Sequence, residues 1–246
     1  DGLSLQRLEA SSDSINLTAT GGWQAVQGEL QSQLEMRLDS NDMGIVLRGL
    51  GYDDLIRNAQ TTMLLDVNWP GDISQFKMQK LQGILDVRAG SGVIPQASPG
   101  AGRALGLLSL QALPQRLFLD FSDVFADGME FEQASGRFVF DGGIATAEDV
   151  VIDAAAAKIH MTGTTDLVAR TYDQRLLIEP SSSLVLPLIG VIAGGPIGAG
   201  AGFALQGLFG GSIGKISKLE YQITGPWQNP TLTAYSPEPT VKIKNP

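Results

Sequence analysis

Cysteine is absent from this 246-residue chain and histidine occurs once, at His160. Without cysteine there is no disulfide framework and no thiolate nucleophile. A single histidine also closes the ordinary route to zinc and most transition metals, whose sites draw on several imidazole and thiolate ligands. His160 stands between Lys158 and Thr162 on the polar side of an alternating run, where it reads as a surface residue. A serine nucleophile would need that histidine or a lysine as base, and Ser181, Ser182 and Ser183 have neither nearby in sequence. No catalytic constellation, metal site or cofactor is expected.

Charge is also scarce: 17% of residues are charged, against about 25% in an average soluble domain. The balance is acidic, with 26 Asp and Glu against 17 Lys and Arg and a formal charge of -9. No basic stripe exists to hold a phosphate backbone, so nucleic acid is excluded as a partner. Contact with an anionic lipid surface must likewise rest mainly on apolar burial. The acidic group Asp120, Asp123, Asp127, Glu130 and Glu132 fails as a calcium loop, since Phe125 stands at the loop's third position, where an oxygen ligand belongs. The glycine-rich stretch Gly194 to Gly200 lacks the lysine and hydroxyl of a phosphate loop. The first residue is Asp1, with no leader-like segment near it, so the chain reads as a fragment or processed product.

What is abundant is alternation. Apolar and polar residues exchange along Ile15–Ala19, Gln33–Asp39, Met63–Trp69 and Leu85–Ala89, and again along Leu117–Phe121, Ile159–Met161, Leu219–Ile223 and Val241–Ile243. That period of two is the mark of half-buried antiparallel strands, and the spacing predicts roughly a dozen of them. Thr20-Gly21, Thr162-Gly163 and Thr224-Gly225 each close such a run with a turn residue, which reads as strand punctuation or a degenerate repeat. Three segments break the pattern. Ser40-Asn41-Asp42 caps a short helix over Met43–Leu50 that Gly51 stops. Ser98-Pro99 opens an apolar helix over 98–114, ended by Pro114. From Pro180 to Gly214 no residue is charged, and Gly190, Gly194, Gly198 and Gly202 recur every fourth position among Ile189, Ile192, Phe203 and Leu205. Residues 184–213 therefore read as an uncharged Gly-rich helical segment, either membrane-active or a plug lying in an apolar groove.

The run from Gly106 to Gly128, with Asn68-Trp69-Pro70-Gly71, Gly136 to Gly143, Pro180 to Leu186 and Tyr221 to Trp227 in the same order, resembles the C-terminal region of the YhdP family of AsmA-like proteins. The resemblance covers roughly Ser32 to Tyr235. It implies a single β-groove segment of a larger Gram-negative envelope protein, anchored in the inner membrane through a part not included in these residues, crossing the periplasm and meeting the outer membrane at this end. It also implies phospholipid transport without catalysis.

The fold expected is mainly β: an extended, twisted and curled antiparallel sheet whose apolar face forms a groove, with a few short helices, the Gly-rich segment and a tail over 236–246. The residues expected to line the groove are Met63, Leu65, Val67, Trp69, Leu85, Val87, Leu117, Leu119, Phe121, Met161, Tyr221 and Ile223. A slip of one residue in register would invert that set. The expected partners are phospholipid acyl chains, the inner leaflet of the outer membrane and envelope β-proteins. The alternative function is an envelope scaffold or assembly factor that pairs a sheet edge with another protein.

Overall fold

The computed structural model describes residues 2–51, 55–95, 128–155, 157–181 and 218–234. Twelve strands form one antiparallel sheet. They are β1 (Leu3–Ser11), β2 (Ile15–Val26), β3 (Glu29–Ser40), β4 (Thr61–Pro70), β5 (Gln82–Ala89) and β6 (Gly92–Ile94). The series continues with β7 (Met129–Asp141), β8 (Ile144–Ala154), β9 (Ala157–Asp166), β10 (Thr171–Pro180), β11 (Leu219–Pro226) and β12 (Thr231–Ala234). Spatial order follows chain order, except that β5 and β6 share one edge of β7. Among the described residues β1 and β12 end the path without pairing to each other, so the sheet is open rather than a barrel.

The strand ends are unequal. At one end the connections are tight: Gln27-Gly28, Gly142-Gly143 and the turn 167–170, with one longer loop at 71–81. At the other end lie the longer segment 41–60 and the tight turn 12–14. The only α-helix among the described residues, α1 (Met43–Gly49), lies in the first of these. Its N-cap is Asp42, whose carboxylate accepts from the Gly44 amide at 2.8 Å, and Leu50 caps its other end before Gly51 turns at φ +86°. The Ser-Asn-Asp signal thus placed this helix correctly to within one residue.

Two of the three Thr-Gly pairs do not end strands. Gly21 sits inside β2 and Gly163 inside β9, and only Gly225 stands near a strand end. Gly163 has φ +115°, and a Cβ there would run into the Asp173 carbonyl and come within 2.8 Å of the Gln174 Cα. Gly83 in β5 has φ +138°, and a Cβ there would collide with the Asp66 carbonyl of β4. The glycines are needed where neighbouring backbones press together in a coiled sheet, not where the chain reverses. The expected helix at 98–114, the tail at 236–246, the acidic residues Asp120, Asp123 and Asp127 and the run Val241–Ile243 lie outside the described residues.

Candidate lipid-binding face

Register decides which side chains share a face, because cross-strand partners point the same way. Across β2 to β5 and on through β7 to β11 the pairings join into continuous rows. One runs Gly21, Leu34, Val67, Gly83, Phe140, Ala145, Thr165, Tyr172 and Gly225. The next runs Ala19, Met36, Leu65, Leu85, Phe138, Ala147, Gly163, Gln174, Ile223 and Leu232. A third holds Leu17, Leu38, Met63, Val87 and Gly136, and resumes as Val150, Met161, Leu176 and Tyr221. The fourth comprises Ile15, Ser40, Thr61, Ala89, Ala134, Ile152, Ile159, Ile178 and Leu219.

One face of the sheet is therefore apolar over its whole breadth. Met63, Leu65, Val67, Leu85, Val87, Met161, Tyr221 and Ile223 all lie on it, and Trp69 takes its place one row out, opposite Ser32. Leu117, Leu119 and Phe121, together with Ile189, Gly190, Ile192, Gly194, Gly198, Gly202, Phe203 and Leu205, lie outside the described residues. Sequence reading missed Phe138, Phe140, Val150 and Leu176, which are 2%, 6%, 5% and 1% exposed. In β8 inward positions change parity between Ala147 and Val150, which conceals Val150, while outward Val139 makes Phe138 to Phe140 continuously apolar and hides the alternation there. Burial is deepest over β7 to β11, where Met161, Leu176 and Ile223 are at most 1% exposed. It falls off toward β1 to β3, where Leu34 and Leu38 are half-buried and Leu3 is 52% exposed.

Most polar groups on this face are matched, the exception among the described residues being the buried Trp227 Nε1, which has no hydrogen-bond partner. Ser32 Oγ donates to the Gly71 carbonyl at 2.7 Å, Ser40 Oγ to the Ser14 carbonyl at 3.1 Å and Thr61 Oγ1 to the Ala59 carbonyl at 3.1 Å. Gln174 Nε2 donates to Thr165 Oγ1 at 2.8 Å. Such pairing makes polar burial tolerable without adding charge. Beside that pair the rings of Tyr172 and Trp227 stack with centroids 6.1 Å apart, and burial pushes the Tyr172 phenol up to about 12, so it stays neutral.

The opposite face carries the charge. Arg137 Nε donates to Asp86 at 2.8 Å, Lys158 Nζ lies 3.3 Å from Asp153, and Lys218 Nζ lies 2.7 Å from Glu179. His160 is there too, in register with Val151 and Leu177. A cleft of about 820 Å³ on this side is lined by Gln6, Thr20, Gln33, Glu35, Asp66 and Asn68 among others, a surface suited to water and not to hydrocarbon. Among the described residues no three His, Asp or Glu side chains gather as a metal site. No described helix is long and apolar enough to cross a membrane.

The chain is 29% identical over 224 residues to the "Intermembrane phospholipid transporter YhdP" of Escherichia coli (strain K12). The match takes in 91% of this chain but 18% of that protein, so the chain spans less than a fifth of its relative's length. No solved structure matches. The profile of the YhdP protein family covers residues 1–232, from β1 into β12. The whole apolar face falls within that span, and the chain belongs to the YhdP family.

Proposed function

We propose that this chain is a non-enzymatic section of an intermembrane phospholipid conduit, with acyl chains lying against the apolar face where it is half-open, at Leu34, Met36, Leu38, Met63, Leu65 and Val87, and headgroups left in water. The observation that carries the reading is the continuity of the rows: no charged side chain interrupts them from β2 to β11. Moving a phospholipid through water exposes two acyl chains at about 0.8 kcal/mol per CH₂, on the order of 20 kcal/mol in all. A sheet that replaces water along the path removes most of that barrier, and no chemical step is required. The Gln174–Thr165 pair and the neutral Tyr172 add polarity without a charge that hydrocarbon would have to solvate.

On the same reading the chain works in the periplasm at the outer-membrane end of the conduit. The uncharged segment 184–213 engages the outer membrane's inner leaflet or gates the groove, a role proposed on its composition alone. Native mass spectrometry of protein purified without detergent tests the proposal. Phospholipid should accompany the folded chain, and a lipid-free spectrum from cells rich in phospholipid would refute it.

A second reading, an envelope scaffold acting by strand addition, draws on β1. Eight of its nine residues are exposed, and among the described residues its outer edge is unpaired. Proline substitutions along β1 that abolish a protein contact while leaving lipid content unchanged would favour it.

A further inference from the structure

The loop 71–81 and the turn 167–170 meet at one rim of the sheet. A Cβ placed on Gly143 would come within 2.7 Å of Val168 Cγ2 and 3.3 Å of Gln79 Cα, so the two segments and the β7–β8 turn lie side by side. They leave large apolar side chains in the open: Ile73 is 67% exposed, Phe76 44%, Met78 36% and Val168 45%. Nothing in the sheet needs them there. The loop is held from within by Trp69, whose indole donates to the Asp72 carbonyl at 3.2 Å, and by Asp72, whose carboxylate accepts from the Ser74 amide at 2.8 Å. Phe76 meets Trp69 edge-on, with centroids 5.3 Å apart and planes at 86°. Trp69 is itself buried on the apolar face, so its contact with Phe76 joins the exposed patch to that face at the rim.

We propose that Ile73, Phe76, Met78 and Val168 form a docking surface for a leaflet of zwitterionic phospholipid, dipping into it so that lipid can pass by way of Phe76 and Trp69 onto the apolar face. The proposal rests on the lipid reading above and adds the place of contact. Charge argues for that class of surface. Lys77, Lys80 and Arg170 flank the patch, but Asp72, Asp141 and Asp166 stand beside them, so attraction to anionic lipid is balanced locally. Insertion of apolar side chains is left as the driving force, as in interfacial segments of low net charge. Phe76, an exposed ring seated edge-on against Trp69, supplies apolar area for that insertion.

The test uses flotation of the full chain with phosphatidylcholine vesicles. Binding should persist at 0.5 M salt, and the double variant Ile73→Ser with Phe76→Ser should lower the bound fraction by about fivefold or more. The matched control Ile45→Ser with Leu50→Ser removes equally exposed apolar residues, 45% and 67%, from the helix at the opposite strand ends and should float as the parent does. Because the chain has no cysteine, Met78→Cys, Val168→Cys and Leu50→Cys each give a single labelling site for a polarity-sensitive fluorophore. Vesicles should shift emission to the blue at 78 and 168 but not at 50, a result that does not depend on losing binding. A parent chain that fails to float, equal losses in the two double variants, or unshifted labels at 78 and 168 would each overturn the proposal. Phospholipid content of the folded chain by native mass spectrometry is read separately. Lipid carried by a chain that ignores vesicles would refute this surface alone, and a floating chain without lipid would refute the conduit reading alone.

Discussion

Replacing Leu65 with aspartate, and separately replacing Leu64, places one substitution on the two faces of a single strand. Leu65 points to the apolar face between Met36 and Leu85, half-buried. Leu64 points the other way, 42% exposed between Arg37 and Asp86. At position 65 the change loses about 1–2 kcal/mol of apolar burial and sets a carboxylate among hydrocarbon groups, adding about 2 kcal/mol or more. At position 64 it loses less burial, and the flanking Arg37, already paired with Asp39, and Asp86, already paired with Arg137, act on the new carboxylate with opposite signs, so about 1 kcal/mol is the expected cost. Urea titration measures the stabilities, and native mass spectrometry measures lipid occupancy on the folded fraction. Leu65→Asp should lose both, and Leu64→Asp should keep both. The pH dependence has a definite sign. Burial raises the pKa of the new Asp above its unfolded value of about 3.9, so its penalty is complete above the raised value and disappears below about pH 4. Equal loss of lipid from the two folded variants would refute the assignment of faces.

Gly163→Ala should cost about 2–3 kcal/mol in urea titration, because it forces a side chain into φ +115° against the Asp173 carbonyl. Gly142→Ala, at φ +59° with nothing within 4 Å, should cost only about 1 kcal/mol. The hydrogen bond from Arg137, ahead of its charge, holds the Asp86 carboxyl below its usual range. That contribution is present above the unfolded carboxylate pKa and lost as pH falls through the lowered folded value, so Arg137→Met should flatten the acid limb of the stability profile below about pH 4. In the segment 184–213, Gly194→Leu with Gly198→Leu, or Ile189→Asp, should lower vesicle binding and lipid transfer while leaving the circular dichroism of the sheet unchanged. For the aspartate the insertion scale allows up to about 2.5–3.5 kcal/mol.

The strand class was legible because β3 and β11 alternate cleanly and β4 and β5 do so but for outward Leu64 and Ile84, and α1 because Asp42 is a good N-cap in the right place. The strands β7 and β8 were harder to read. Their register shifts move inward residues from one parity to the other, and a period-two count cannot follow that. Strand β10 hides itself differently: Gln174 occupies an inward position at 1% exposure, while Leu177, which pairs with His160, faces out. The polar residue is admitted because Thr165 on the adjacent strand satisfies it, and that partner is visible only once the strands are paired. The in-strand glycines misled for a related reason. A close approach between backbones and a turn make the same demand for a missing Cβ. The exposed loop 71–81 gave no signal, since its apolar residues lack any period.

The strict chain-order meander also makes the sheet a ruler. Its rows run across the strands, so the distance they span is set by how many strands are stacked, at about 4.8 Å for each step and roughly 50 Å along the eleven-strand path. Strand length sets the width of the apolar band and has no effect on its reach. Excising one hairpin, such as β9 with β10, would shorten the band by about 10 Å while bringing β8 and β11 together in the same relative direction. In such a design reach and cross-section are independent variables. A sheet of this kind lengthens or shortens its apolar band by gaining or losing hairpins, without any change in the band's cross-section.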